Sequence, residues 1–306
     1  MNKYFKILLA TDYSSEVMNA ERYAVQFAKS SHSILTLFHA YSPPLPPPKI
    51  TLSYDDTLRN SKLSEIKKLN QHRDELFHSL NINSGEINNE CIVREGNAGN
   101  QICREAKESG VDFIFVGSHG ASGFRDVLFG SNTWNVIKKS SVPVLIIPKD
   151  ALFMGIKTIV FGTEYREGEI PALDFLAQFA KQFSAKLTVL HITNYVLSKI
   201  FEKEMFEKFR KDVKEKVAYE KLKMKLIKNE DLAQGLNKFC ENKKTDLLVM
   251  CPEKQILLQK IFTPSVSNTR KMSFRSTIPL LTIPDYYNPA NANIWKMFKQ
   301  DELIEN

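Results

Sequence analysis

The chain repeats itself once, and this duplication limits the fold more than any other feature of the sequence. Segments of the first half recur in the second half at a constant spacing of 152 residues. The matching pairs are Phe5–Ala10 with Lys157–Gly162, Gln26–Lys29 with Gln178–Lys181, and Leu35–His39 with Leu187–His191. Two copies of one domain, rather than a solenoid, are therefore predicted within the 306 residues. We expect a first domain at 1–150, a second at 151–284 and a tail at 285–306.

Each copy alternates short apolar runs with amphipathic helical patterns, which predicts an α/β fold. Apolar runs of four to seven residues are typical of strands buried on both faces of a sheet. In the first copy they predict strands at Lys6–Ala10, Ile34–Ala40, Glu90–Arg94, Phe113–Val116 and Val142–Ile147. Five strands alternating with four helices predict an open five-stranded parallel sheet with helices on both faces. A ligand of such a sheet binds beyond the carboxyl ends of its strands.

A glycine-rich loop separates the last two strands of the first copy. Glycines stand at Gly117, Gly120, Gly123 and Gly130, and Ser131 opens the helical pattern that follows. Glycines let backbone N–H groups approach an anion, and the first turn of a helix adds unpaired donors. Serine is a favoured N-cap, so Ser131 is predicted to cap this helix. The pattern favours an anion site, and a loop that binds nothing remains the alternative.

The spacing Gly117-x2-Gly120-x9-Gly130-Ser131, with the strings GSHG, GSNT and PVLIIP, resembles the ATP-binding signature of the universal stress protein family. The resemblance covers almost the whole chain as a tandem pair. It implies Rossmann-like domains of the adenine nucleotide alpha hydrolase type. It also implies ATP as the ligand, with Mg²⁺ as a candidate companion ion. The site residues that it implies are Thr11, Asp12, Ala40, Val116, Gly117, His119, Gly120, Gly130, Ser131 and Asn132.

Several of these residues have a second interpretation. The family uses an aspartate at the position of Asp12 on the adenine side of ATP, whereas a local role would be to cap the next helix with Ser14 and Ser15. His119 is expected to donate to phosphate and not to act as a catalytic base. His39 ends the second strand, as His191 does in the second copy, so both are expected to be structural.

The second copy lacks the features that would bind phosphate. Cys251-Pro252-Glu253-Lys254 stands where the first copy has Gly117–Gly120, and Val266 replaces the glycine at 130. Proline has no N–H donor, and side chains obstruct a close approach of phosphate to the backbone. We therefore expect no ATP in this copy, which becomes a structural or partner-facing domain.

No catalytic set is recognisable, so a dedicated enzyme is not expected. The chain has neither a GxxxxGK[ST] loop nor a GxGxxG loop after its first strand, and slow ATP hydrolysis is the most chemistry anticipated. The leading hypothesis is a cytoplasmic, ATP-binding stress-response regulator. The alternative is a stress adaptor without nucleotide, or a protein that binds a small apolar ligand and acts through protein contacts.

The charge is uneven but gives little support to nucleic acid as a partner. The net charge is +7, with 17 basic and 16 acidic residues in 1–150 and 25 basic and 19 acidic residues in the remainder. The excess is concentrated in Val196–Lys228, where acidic residues are interleaved and weaken the field. No apolar run approaches the ~18 residues of a membrane span. Cytoplasmic localisation is expected, and the four scattered cysteines fit reduced thiols.

Association between the two domains is also expected. Val142–Ile147 should end the first sheet, and exposed sheet edges pair readily. Its counterpart Ile278–Ile283 could pair with it inside one chain, which would give an intramolecular pseudo-dimer. A homodimer is the alternative arrangement. The tail, with Trp295 and Phe298, is expected to dock on the body.

Overall fold

A computed structural model of the chain describes residues 4–43, 54–118, 129–193, 199–251, 277–284 and 287. They form two compact units, the first extending to Phe153 and the second beginning at Met154. The first unit runs three residues past the boundary expected at 150. The reason is local packing, since the ring of Phe153 lies edge-on to Tyr23 and Phe27 at centroid distances of 5.1 and 5.7 Å.

The described part of the first unit contains the predicted five strands and four helices. In chain order they are β1 (Lys6–Ala10), α1 (Met18–Ser31), β2 (Ile34–Tyr41), α2 (Tyr54–Ser79), β3 (Asn89–Glu95), α3 (Ala98–Glu108), β4 (Phe113–Gly117), α4 (Ser131–Lys139) and β5 (Val144–Ile147). All strand pairs are parallel, in the order β3-β2-β1-β4-β5. The predicted α/β fold with an open parallel sheet is confirmed.

The second unit repeats this architecture. Its elements are β6 (Thr158–Gly162), α5 (Glu169–Gln182), β7 (Lys186–Thr193), α6 (Lys199–Lys216), β8 (Leu222–Lys228), α7 (Leu232–Lys243), β9 (Leu247–Met250) and β10 (Leu280–Thr282). The parallel strands follow the order β8-β7-β6-β9-β10. Residues 252–276, which hold the counterpart of the glycine loop, lie outside the described residues, as do Trp295 and Phe298 of the tail.

Aromatic packing fixes the first helix on the sheet of the first unit. Phe5, Phe27, Phe113 and Phe115 are each at most 2% exposed. Phe5 meets Phe113 edge-on at 5.2 Å, and Phe27 of α1 meets Phe115 of β4 at the same distance. Full burial of one such side chain stabilises the fold by about 1.5–3 kcal/mol. This cluster therefore holds α1 over β4 and fixes the ends of the strands that follow.

The strand order of both units reverses beside the first strand. β1 pairs with β2 on one side and with β4 on the other, and β6 likewise lies between β7 and β9. The segments that leave these strands diverge at their carboxyl ends, which opens a crevice. Each unit thus has one such crevice, at the end of β1 and β4 or of β6 and β9. None of the helices in the described ranges combines the length and apolar character that crossing a membrane requires.

Candidate functional site

The two ends of the glycine-rich loop meet at the carboxyl end of β4. The backbone N–H of Gly130 donates to the Ser118 carbonyl at 2.9 Å, and the Thr133 hydroxyl donates to the Gly117 carbonyl at 2.9 Å. Ser118 in turn donates to the Ile147 carbonyl of β5 at 3.0 Å. The start of α4 is therefore tied directly to the strand end. His119 and Gly120 lie outside the described residues.

Among the described residues, no side chain caps the first turn of α4. The prediction that Ser131 is the N-cap is wrong, because Ser131 is already the first helical residue and Gly130 occupies the cap position. Gly130 has an extended backbone there and no side chain that could accept a hydrogen bond from the turn. Ser131 and Asn132 are both exposed. The described residues thus leave the N–H groups of this helix start without a side-chain cap, and the helix dipole favours an anion at such a position.

The turn after β1 is held by the buried side chain of Thr11. Its hydroxyl donates to the Glu21 carboxylate of α1 and accepts a hydrogen bond from the Tyr13 N–H at 3.1 Å. Tyr13 has a φ of 60°, a left-handed conformation uncommon outside glycine. The Asp12 side chain is exposed, and its Oδ1 accepts from the Ser14 N–H at 3.0 Å.

Asp12 does not cap the following helix. α1 begins at Met18, its N-cap is Val17, and no side chain bonds to the cap. The alternative prediction that Asp12 caps this helix with Ser14 and Ser15 is therefore wrong. The Asp12 carboxylate instead accepts from the Ser14 N–H and closes a tight turn before the helix. The turn leaves this carboxylate at the crevice rather than at the helix.

The end of β2 supports the same turn. Nδ1 of His39 lies 2.8 Å from the Thr11 carbonyl oxygen, and the Tyr13 ring packs on the imidazole at 4.3 Å. Burial lowers the pKa of His39 below its ordinary value of 6.5. These contacts fit the structural role expected of His39. Ala40 follows it on β2, half-buried, while Val116 and Gly117 are buried at the end of β4.

Helix α2 adds a second layer over this turn that the sequence did not reveal. Nε2 of His72 lies 2.9 Å from Oε1 of Glu21, and the His72 ring meets Tyr13 edge-on at 5.1 Å. The Lys68 ammonium lies 4.2 Å from the centroid of the Tyr13 ring, a cation–π distance. The hydrogen bond to Glu21 raises the pKa of His72 above its ordinary value of 6.5.

The second unit rebuilds the turn with Thr163 and Tyr165 at the repeat positions of Thr11 and Tyr13, and with a carboxylate from a different position, Glu169. The Thr163 hydroxyl donates to Oε2 of Glu169 at 2.5 Å and accepts from the Tyr165 N–H at 3.0 Å. Tyr165 has a φ of 62°, and its ring stacks on His191 at 4.1 Å. Tyr13 and Tyr165 stand 152 residues apart, so the repeat spacing could have identified them before the structure was known.

Arg166 distinguishes the described part of the second crevice from that of the first. It stands at the repeat position of Ser14, and its Nε lies 3.1 Å from Oε1 of Glu169. Its Nη2 donates to the Cys251 carbonyl, directly after β9. The guanidinium therefore spans the crevice between the ends of β6 and β9. In the first unit Ser14 is short, and its buried hydroxyl has no hydrogen-bond partner among the described residues.

A small cavity remains in the second crevice. It measures about 70 Å³ and is lined mainly by apolar side chains such as Leu232, Leu236 and Met250, with Glu164 and His191 also in the wall. An engineered cavity of about 150 Å³ holds one benzene molecule. The cavity that the described residues of the second crevice enclose is therefore smaller than one that holds a single aromatic ring.

The described candidate residues of the first unit all lie at one edge of its sheet. The parallel registers pair Ala10 with Phe38 and Leu9 with Phe115, which brings Thr11, Ala40 and Gly117 to that edge. Asp12 follows Thr11, and Val116 precedes Gly117. The hydrogen bonds from Gly130 and Thr133 to the end of β4 place three more candidates there, which are Gly130, Ser131 and Asn132. The sequence did not predict the roles of three further residues, Glu21, His72 and Arg166. Each of them contacts a residue on another element, and no local pattern indicates such a contact.

Two parallel-sheet units in tandem, each with a crevice at the reversal of strand order, define a duplicated α/β domain protein of the Rossmann-like class. Residues 3–148 match the family model described as Universal stress protein family. The first unit belongs to the universal stress protein family, and the second unit repeats the fold of this matched half.

Relatives and solved structures agree with this assignment. Universal stress protein YxiE of Bacillus subtilis is 29% identical over 46% of this chain and 97% of its own length. A universal stress protein of Methanocaldococcus jannaschii is 43% identical over 58 residues, 19% of this chain and 36% of that protein. The crystal structure of a universal stress protein from Archaeoglobus fulgidus shares the fold over 92% of this chain and 98% of its own, with 15% identity and a TM-score of 0.61.

One further structure is a universal stress protein in complex with cAMP. It is 23% identical, the match covers 47% of this chain and 97% of that chain, and the TM-score is 0.35.

Proposed function

We propose that the chain is a nucleotide-binding regulator of the cytoplasm that holds ATP in its first unit only. The nucleotide state would alter the contacts of the protein with its partners, and slow hydrolysis is the only chemistry expected. The observation that carries the proposal is the contrast at the crevices. In the first unit an uncapped helix start is tied to the end of β4, whereas in the second the Arg166 guanidinium bridges Glu169 and the Cys251 carbonyl at the end of β9.

The residues of the first crevice fit a triphosphate. Backbone donors at the start of α4 suit phosphate oxygens, and exposed Ser131 and Asn132 leave that end accessible. The buried Ser14 hydroxyl offers a further donor that no described residue uses. Asp12 is the carboxylate available to accept from the exocyclic amine of adenine or to help hold Mg²⁺. His119 and Gly120 are proposed to complete the loop.

The second unit is proposed to have lost this ligand. Its Arg166 guanidinium bonds to Glu169 and to the Cys251 carbonyl, and a separate cavity of about 70 Å³ lies beside His191 and Leu236. Displacing Arg166 would leave the Glu169 carboxylate, which is 2% exposed, without its cation. This cost opposes nucleotide entry.

Nucleotide binding occurs among relatives, since one universal stress protein has been solved in complex with cAMP. That observation concerns the relative, and the proposal for this chain rests on its own residues. A triphosphate is favoured over a cyclic monophosphate here because the open helix start lies at the end of a long glycine-rich loop.

A matched pair of variants tests the proposal by ATP titration of the full chain. Asp12→Ala should weaken ATP binding by about tenfold to a hundredfold, the loss expected for one hydrogen bond to a charged group. Glu164→Ala changes the equivalent position of the second unit and should leave the affinity unchanged. Both side chains are exposed, so both variants should fold, which circular dichroism checks.

Two results would count against the proposal. The first is wild-type protein that neither binds ATP nor releases a nucleotide detectable by mass spectrometry after denaturation. The second is an ATP signal that Asp12→Ala leaves intact, which would favour an adaptor without nucleotide.

A further inference from the structure

A buried carboxylate lies beneath the first crevice and is shared by two elements. Glu21 of α1 is 1% exposed, and its Oε1 accepts from both the Thr11 hydroxyl and Nε2 of His72. His72 lies on α2, 51 residues away in sequence. A carboxylate this deeply buried is costly unless it is hydrogen-bonded and has a counter-charge. His72 is the side chain that supplies both.

The second unit satisfies the same requirement with a different cation. Glu169 is 2% exposed, accepts from the Thr163 hydroxyl and pairs with Arg166. Arginine keeps its charge at every physiological pH, whereas histidine loses its charge near neutrality. The two units therefore share one buried carboxylate design, with a titratable partner in the unit proposed to bind ATP and a permanent one in the other.

The Glu21 carboxylate is linked to the nucleotide turn by a short chain of contacts. It holds the Thr11 hydroxyl, which accepts the N–H of Tyr13 at 3.1 Å and keeps that residue in its left-handed conformation. The Tyr13 ring then packs between His39 and His72. Asp12 stands between Thr11 and Tyr13, so its position depends on this arrangement.

The charged groups around His72 determine when it titrates. Glu21 faces it from α1, Glu75 and Lys68 from α2, and the phenol of Tyr13 from the turn after β1. The hydrogen bond to Glu21 is the largest influence and raises the pKa of His72, while burial opposes it. A raised pKa means that the His72 imidazole stays protonated below about pH 6.5 and loses its proton as the pH rises through the raised pKa. Neutral imidazole still donates, but Glu21 then lacks a counter-charge.

We propose that His72 is a positioning residue for the first-unit nucleotide site, and that its protonation makes ATP binding tighter at lower pH. This inference rests on the proposed function, since it concerns the regulation of the same site. Protonated His72 holds Glu21, and through Thr11 it holds the turn that carries Asp12. By reciprocity, bound ATP favours the protonated form of His72.

The test compares ATP titrations of three full-length chains between about pH 6 and about pH 8.5, the range in which histidine changes charge. As the pH rises across this range, the ATP affinity of the wild type should fall by up to about fivefold more than the ATP affinity of His72→Arg. The reason is that a charge-assisted hydrogen bond is roughly twice as strong as a neutral one. His72→Arg carries the permanent cation of the second unit. His72→Gln keeps a neutral donor and should remain near the high-pH value. Titration of ATP itself is common to all three chains.

The His72 resonances provide a readout that needs no nucleotide. Their titration midpoint should lie above 6.5 in the free chain and rise further when ATP is saturating. If the ATP affinities of the wild type, His72→Arg and His72→Gln changed in parallel with pH, the inference would be overturned and the proposed function would stand. Absence of ATP binding at every pH would instead overturn the proposed function, and the inference with it.

Discussion

Removal of the Arg166 side chain is predicted to destabilise the second unit and to leave the stability of the first unit unchanged. The substitution Arg166→Ser copies Ser14 of the first unit. It removes the guanidinium from Oε1 of Glu169, at 3.1 Å, and from the Cys251 carbonyl. The carboxylate of Glu169 would keep the Thr163 hydroxyl but lose its cation.

The size of the effect follows from burial. Glu169 is 2% exposed and Arg166 is 23% exposed, so the pair is mostly shielded from water. Removing one partner of a buried ion pair costs about 3–5 kcal/mol, and the partial exposure of Arg166 places the expected loss at about 3 kcal/mol. The double variant Arg166→Ser with Glu169→Gln should recover about 2 kcal/mol, because no uncompensated charge is left.

The pH dependence has a definite sign. Burial raises the pKa of Glu169 even beside Arg166, so the folded unit binds its proton more readily than the unfolded chain does. The contribution of Glu169 to stability is therefore lost as the pH rises above about 4.5. Removal of Arg166 raises the pKa further, so the difference between wild type and Arg166→Ser should shrink as the pH falls towards 4.

Native-state hydrogen exchange of the amides in β6 and α5 measures this loss in the second unit alone. The four chains of the cycle are wild type, each single variant and the double variant. A loss below about 1 kcal/mol for Arg166→Ser would refute the reasoning. So would an equal loss in the Glu169→Gln background, since that would show no coupling between the two side chains.

Two further predictions concern packing and thiol chemistry. A Cβ at Gly99 would lie 2.5 Å from Nδ2 of Asn135, whereas one at Gly85 would meet no heavy atom within 4 Å. Gly99→Ala should therefore lower the free energy of unfolding by about 1–3 kcal/mol in urea titrations and Gly85→Ala by much less, and equal losses would contradict this. Cys240 is fully buried and burial raises its thiol pKa to about 12, so iodoacetamide at pH 8 should modify it far more slowly than half-buried Cys103. Equal labelling rates in the native protein would contradict the burial of Cys240.

The strands could be predicted from the sequence because a strand buried on both faces is a run of consecutive apolar residues. Phe113–Val116 is apolar throughout, and β4 is buried at every position. The helices were less determined by pattern. In α6 the apolar residues Ile200 and Met205 are 71% and 36% exposed, whereas Phe209 and Val213 in its later turns are buried. A periodic pattern identifies the helix but not which of its turns meets the sheet.

The candidate site was predictable only where its residues follow strands. Thr11 and Gly117 lie at the sheet edge because parallel strands end there together. The cap at Ser131 was predicted wrongly because residue preference favours serine, whereas the bond between Gly130 and the Ser118 carbonyl sets where α4 begins. Glu21 with His72, and Arg166 with Cys251, depend on elements 51 and 85 residues apart, and no local pattern encodes such pairing.

The stoichiometry of ATP binding tests the central claim most directly. Isothermal titration of the full chain should give one site per chain, lost or strongly weakened in Asp12→Ala and retained in Glu164→Ala. Two equivalent sites, or one site that Glu164→Ala removes and Asp12→Ala does not, would contradict the assignment of the nucleotide to the first unit.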